Sequence, residues 1–333
     1  MTRRLSRFFS AFMGCFCLLL ADVRLLADPP FSGTIFIDPD ILTAFDRTSF
    51  VGLTSAGKGE RTMYDRRVGD WIRVNAFLFE ATFDDGLSIE FQVNPEFGSV
   101  AAAQVQTERF APAIGRLPTS LRRDVETVWI HRGDKPFGGG NNNLLIHTEQ
   151  ADRYLETGIL EETLVHEASH TSLDGDHAGA AGWLAAQAAD VNFISTYARD
   201  NASREDVAES FLPYLAVKYR RDRISEELAK TIQTTIPGRL RYFEELELDL
   251  YPVVTRQTLS IIAFKRDGRQ WQLEWRSAKR GKFFVEISED LDRWDVFSEG
   301  LVLQGNPTTV LLDAADPLFG TEKAFIRVVL RPE

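Results

Sequence analysis

Leu160-Glu161-Glu162-Thr163-Leu164-Val165-His166-Glu167-Ala168-Ser169-His170 reads as one stretch of helix. Leu160, Thr163, Leu164 and Glu167 recur at the three-and-four spacing of an α-helix. The last five residues set His166 and His170 one turn apart, and side chains at i and i+4 share a face. Each of the two imidazoles can then aim one nitrogen at a single Zn²⁺, and Glu167 beside them can act as general base toward a water held there. An ordinary amphipathic helix carrying two partnered histidines would show the same string. Three features favour the metal. The motif lies in a helix, as the chemistry requires, the whole chain has only five histidines, and suitable acids follow downstream.

A catalytic zinc takes three protein ligands and keeps one position open. Asp176 stands at the spacing of a metzincin third ligand, but Leu173 replaces the glycine of that pattern. The methionines, Met1, Met13 and Met63, all lie upstream, so the methionine turn is missing as well. His177 is one place out of register, and its role stays open. The better candidate is Glu205-Asp206-Val207-Ala208-Glu209, in a helix expected over 203–219 behind a Ser203…Asp206 capping box and kinked or shortened at Pro213. Glutamates at i and i+4 share a face, so one can bind metal while the other steadies a ligand histidine. Acids at a helix start also complement the helix dipole with no metal at all. Their company with the histidine pair is what favours zinc. Asp174 closely follows the zinc helix and is placed to hydrogen-bond a ligand histidine, whereas His131 and His147 are expected to be structural.

Three segments together resemble the lethal-factor type of zinc metallopeptidase, a gluzincin group. They are His166–His170, the tyrosine-containing Ile194-Ser195-Thr196-Tyr197-Ala198-Arg199, and the Glu-x-x-Ala-Glu-x-Phe run Glu205–Phe211. The resemblance implies a zincin-like domain with His166, His170 and Glu205 as zinc ligands and Glu167 as base. It makes Tyr197 a hydrogen-bond donor to the oxyanion and puts Glu209 behind a ligand. The spacing from Tyr197 to Glu205 departs from the group's pattern, and Asp206 replaces an aromatic residue. Glu205 and Glu209 therefore both stay open as third ligand, with Glu205 preferred. The group also implies a strand antiparallel to bound substrate above the zinc helix, for which Leu144–Thr148 is the candidate. The aminopeptidase signature of glycine, methionine and glutamate is absent, which favours an endopeptidase.

Outward from this centre, strands are expected at Thr34–Ile37, Leu87–Val93 and Val125–His131, and a helix over Ala101–Phe110. Gly138-Gly139-Gly140-Asn141-Asn142-Asn143 lacks the Gly-Lys-Ser/Thr ending of a phosphate loop and reads as a flexible turn before an edge strand. From about Tyr154 to Glu247 the chain is helical, with starts at Ser225 and Pro237. After Tyr251-Pro252 short strands recur at Leu259–Lys265, Gln270–Trp275, Phe283–Ile287, Thr309–Leu312 and Ala324–Leu330, separated by turn residues. That texture predicts a small all-β sandwich over 253–333, with Trp271 and Trp275 packed in its core. It also looks like the small β-domain often appended to secreted bacterial proteins, which implies a spacer or attachment module.

The chain has 333 residues with 44% hydrophobic and 26% charged, a globular composition too long for one ordinary core. A net charge of -11 excludes a general attraction to nucleic acid or anionic lipid. Arg3, Arg4 and Arg7 precede an apolar run from Phe8 to about Ala21, with small residues near Ala21 and Ala27. This reads as a secretory signal over 1–27, because about 14 apolar residues fall short of the roughly 20 that span a bilayer. Cys15 and Cys17 leave with it, so the exported chain has no disulfide and depends on core burial. The expectation is an α+β chain: a signal at 1–27, a zinc metallopeptidase domain at 28–252 with a mixed sheet and active-site helices, and a β-sandwich at 253–333. It would act, secreted or periplasmic, as an endopeptidase holding one Zn²⁺, with protein or peptide substrates and no nucleic-acid or membrane partner. Two alternatives are a non-catalytic surface-binding protein with a structural zinc, and a zinc hydrolase of non-peptide substrates.

Overall fold

The computed structural model describes residues 28–33, 40–255, 259–268, 270–277, 281–302, 308–313 and 324–331. The export segment and the strand expected at 34–37 lie outside the described residues. A long hairpin opens the fold, β1 (Phe50–Asp65) and β2 (Asp70–Phe83), turning through a left-handed Gly69. The pattern of β2 alternates in space: Phe77, Phe79, Ala81 and Phe83 enter the main core, while Ala76 and Leu78 join Met63, Trp129 and Leu145 on the other face. Sequence reading passed over this hairpin. Ser55–Glu60 of β1 is polar and mostly exposed, so only its pairing with β2 makes it a strand.

β3 (Ser88–Val93) leads through α1 (Val100–Gly115) and the single turn α2 (Thr119–Arg122) to β4 (Thr127–His131). β5 (Gly138–Gly140) and β6 (Asn143–His147) complete a six-stranded mixed sheet in the order β1-β2-β3-β4-β6-β5. β3, β4 and β6 run parallel and the other pairs antiparallel. The strand expected to receive substrate, 144–148, is therefore not an edge: β6 is bonded on both sides, and β5 is the outer strand. The glycine–asparagine run is not a loose turn either. Asn141 and Asn142 both have positive φ (51° and 56°), as a two-residue type I′ hairpin turn requires.

Eight helices follow: α3 (Thr148–Glu156), α4 (Leu160–Ser172), α5 (Asp174–His177), α6 (Ala181–Ala189), α7 (Thr196–Asp200), α8 (Asp206–Tyr219), α9 (Glu226–Thr235) and α10 (Pro237–Glu245). α4 lies at their centre against α8 and β5, with Leu164, Val165 and Ala168 in the same core as Leu144, Ile146, Val207 and Phe211. α8 departs from the sequence expectation at its start and its middle. It begins at Asp206, with Glu205 rather than Ser203 at the N-cap; the Glu205 carboxylate caps no amide and faces the histidines. It also continues past Pro213 to Tyr219. Residues ahead of the sheet belong to this unit: Ile41 and Leu42 are buried in the main core, and the Leu42 amide donates to Glu162 Oε1 at 3.1 Å.

Residues 260–331 contain two three-stranded antiparallel sheets, built from β7 (Ser260–Asp267), β8 (Gln270–Arg276), β9 (Lys282–Ser288), β10 (Asp295–Val302), β11 (Thr308–Asp313) and β12 (Phe325–Arg331). β10 was not foreseen. Leu273, Trp275 and Leu312 from one sheet share a cluster with Phe283, Val285 and Val328 from the other, and Trp271 stacks on Phe264 at its margin. Among the described residues no helix is long and apolar enough to cross a membrane.

His131 and His147 are paired across β4 and β6 and fully buried. Asn94 Nδ2 donates to His131 Nδ1 at 3.0 Å, which holds that ring neutral. Burial pushes both rings down to about 4. An unfolded chain takes up these protons near pH 6.5, while the folded one resists until about 4. Stability from this pair is thus present above pH 6.5 and lost as pH falls toward 4. Glu162, pushed up to about 7 by burial, acts with the opposite sign, so the test is a difference. Between pH 6.5 and 4.5 the melting temperature of the parent should fall several degrees relative to a His147→Gln variant, followed by circular dichroism.

Candidate metal centre

Two helices deliver the donors. α4 carries His166 and His170 on one face, and their Nε2 atoms lie 3.1 Å apart. Glu205, at the head of α8, brings Oε2 to 3.2 Å from His170 Nε2 and 3.7 Å from His166 Nε2. Among the described residues this is the one group of three histidine, cysteine or acid side chains whose ligand atoms all lie close enough to hold an ion. Zn–N and Zn–O bonds of about 2.0–2.2 Å at tetrahedral angles give donor separations of about 3.3–3.6 Å, so the observed triangle fits. One carboxylate and two imidazoles are donors suited to zinc.

A second layer orients these groups. His170 Nδ1 meets Asp174 Oδ2 at 2.6 Å, which turns its Nε2 toward the other donors, where an ion would displace the Nε2 proton. Glu209 sits one turn below Glu205 with Oε1 3.6 Å from His166 Nδ1, and its other oxygen accepts from Ser195 Oγ at 2.7 Å. The two glutamates left exchangeable by sequence thus take different places: Glu205 faces both Nε2 atoms and Glu209 stands behind His166. Ser195 also caps α7 by accepting from the Ala198 amide, a link that sequence reading missed. Tyr197, 38% exposed at the cleft, donates its hydroxyl to Glu205 Oε1 at 3.0 Å.

The electrostatics follow from this crowding. Burial opposes charge on His170, but the hydrogen bonds to Asp174 and Glu205 outweigh it and push the ring up to about 10. Burial likewise raises the Glu205 carboxyl, and the His166 and His170 contacts more than reverse this, holding it far below the usual carboxylate range. Burial and the neighbouring Glu205 charge raise the Tyr197 hydroxyl, which therefore stays protonated at neutral pH. Acids dominate the surroundings, which suits a bound cation. The donors open into a cleft of about 710 Å³, where Glu167 also lies. Asp176 is exposed outside the group, and His177 instead pairs with Tyr242 Oη at 2.8 Å through Nδ1.

The upper wall of the cleft is the edge strand β5, pressed onto α4. A Cβ placed on Gly139 would stand 1.8 Å from the Glu167 carbonyl oxygen, so no side chain fits there. Thr171 ties the same two elements together: its hydroxyl accepts from the Gly140 amide at 2.8 Å and lies 2.9 Å from the Asn143 carbonyl, to which it donates. The signal for this contact was the glycine run itself, which sequence reading took for a flexible turn.

No known protein family and no curated protein matches the sequence. Among solved structures it matches the crystal structure of Legionella pneumophila aminopeptidase A in complex with aspartic acid. The match is 12% identical and covers 77% of this chain and 36% of that one, so the chain spans about a third of that protein's length. At a TM-score of 0.21 the likeness supports no conclusion about fold or activity.

A methyl group at position 139 must separate β5 from α4. Gly139→Ala should therefore destabilise the protein by about 1–3 kcal/mol in urea unfolding, as overpacking does.

Proposed function

We propose that the chain is an exported zinc-dependent endopeptidase with a zincin-like catalytic unit of the gluzincin kind. The observation that supports it best is the meeting of His166 Nε2, His170 Nε2 and Glu205 Oε2 at 3.1–3.7 Å beside an open cleft. Structural zinc sites close the coordination sphere with four protein ligands, whereas three ligands and a cleft are the pattern of catalysis. That favours an enzyme over a binding protein with a structural zinc.

A Zn²⁺ held by these residues would supply a Lewis acid that polarises a carbonyl and lowers the pKa of water toward about 7. Glu167, partly exposed in the cleft, takes the proton from the attacking water and passes it to the leaving amine. Tyr197 exchanges its bond to Glu205 for one to the developing oxyanion, within reach of the same cleft. Asp174 holds His170 in the right tautomer, and Glu209 supports His166 from behind. Peptide is the favoured substrate because β5, the outer strand among the described residues, exposes the backbone of Gly139 to an extended chain next to the cleft. The basic and apolar start of the sequence supports export, and the acidic balance supports a substrate other than nucleic acid.

Purified protein should hold about one zinc per chain by mass spectrometry, and a chelator should abolish casein cleavage. Zinc-loaded protein that cleaves no peptide would sink the proposal. Glu167→Gln should keep the zinc and lose roughly 10²–10⁴-fold in kcat. Glu205→Ala should empty the site, whereas Glu209→Ala should weaken zinc binding by only about 10–100-fold, measured by competition with a chromogenic chelator.

A further inference from the structure

We propose that a second recess, on the opposite face of the same edge strand, selects the substrate as an extended acidic peptide segment bearing an aromatic or large aliphatic side chain. This rests on the peptide reading of the cleft and names what that site would take.

Directly paired residues of an antiparallel ladder point to the same face. Gly139 pairs with Leu144 and faces α4; Gly138 pairs with Leu145 and faces the other way. On that other face lies a recess of about 530 Å³ walled by Tyr64, Trp71, Trp129 and Leu145. Trp71 stands edge-on to Tyr64 at 5.6 Å and to Trp129 at 5.3 Å, yet remains 50% exposed. An aromatic cluster open on one side is suited to receive another apolar side chain.

Arg66, Pro136, Gly139 and Gly140 line both this recess and the metal cleft, so the two form one surface that wraps around the β5 edge. Three successive glycines put no side chain of β5 into either hollow, and the Arg66 guanidinium lies against Gly138 on the recess side. A strand added to β5 would alternate its side chains between the cleft and the recess. Charge specifies the occupant further. Arg66 and Lys135 border the recess, Arg66 with its guanidinium against Gly138, and no salt bridge is found for either among the described residues. On a chain of net charge -11, two such cations beside an apolar hollow suit a carboxylate next to an apolar group.

The test is a binding measurement on the zinc-loaded full chain carrying Glu167→Gln, which prevents turnover. Two dansylated ten-residue peptides of alanine, serine and glutamate serve as probes, one with a single phenylalanine and one with alanine in its place. By fluorescence anisotropy the phenylalanine peptide should bind at least tenfold more tightly. Adding Trp71→Ala should remove that preference, and Trp71→Phe should restore most of it. Replacing the glutamates of the peptide by glutamine should weaken binding, and unchanged affinity would overturn the acidic part of the proposal. Equal affinity for the two peptides, a preference that survives Trp71→Ala, or no binding to either would overturn the proposal. A dimer that dissolves in Trp71→Ala would also overturn it, since a second copy would then fill the recess. Phenylalanine-dependent binding without casein cleavage would leave the recess standing and remove the peptidase reading. Cleavage with no such preference would do the reverse.

Discussion

Two imidazoles from one helix and a carboxylate at the head of another reach a common point with separations of 3.1–3.7 Å, and the packing of α4 against α8 sets that meeting. The requirement is steep because the neighbourhood is buried and acidic. Glu205 and Glu209 are almost fully buried, with Asp174 and Glu167 close by. Carboxylates taken out of water are costly unless hydrogen-bonded or paired with positive charge. Histidine protons, tyrosine and serine hydroxyls and, when bound, a divalent cation are the means available. Side chains in this arrangement are held in place by packing beneath them: Val165 and Ala168 under α4, Val207 and Phe211 under α8.

The hydroxyl donors come from one short stretch. Ser195 donates to Glu209 and Tyr197 to Glu205, so α7 touches both acids of α8. That stretch is itself tied to the beginning of the described chain, since Phe31 bridges to Ser195 and its carbonyl accepts from the Thr196 amide. Residues far apart in sequence thus set the position of the tyrosine at the mouth of the cleft. The region before α1 completes the same unit by supplying three of the six strands and part of the core.

A free strand edge is a liability in a soluble protein, because it invites pairing with any other extended chain. Of the two edges of the six-stranded sheet, β1 is long, while β5 is only three residues long and is fixed against α4 through Gly139 and Thr171. Its backbone lies beside the clustered histidine and glutamate donors, with α4 against Gly139 on one face and the Arg66 guanidinium against Gly138 on the other, and a cavity borders each face.

The face-sharing of the candidate donors was legible in sequence because helical spacing is local. His166 and His170 at i and i+4 must share a face, as must Glu205 and Glu209, whatever the rest of the chain does. Asp174 was legible for the same reason, four residues after the histidine it touches. The C-terminal strands were legible mostly from alternation and turn residues, although β10 was not. What the tertiary structure alone decided was long-range. The β1–β2 hairpin exists through pairing that its polar residues do not announce. β6 is interior and β5 is the edge because of where the sheet ends, which alternation along 144–148 cannot express. Glu205 rather than Glu209 faces the two Nε2 atoms because α8 crosses α4 at that height, and a period of 3.6 residues says which side chains share a face but never which of them meets the neighbouring helix.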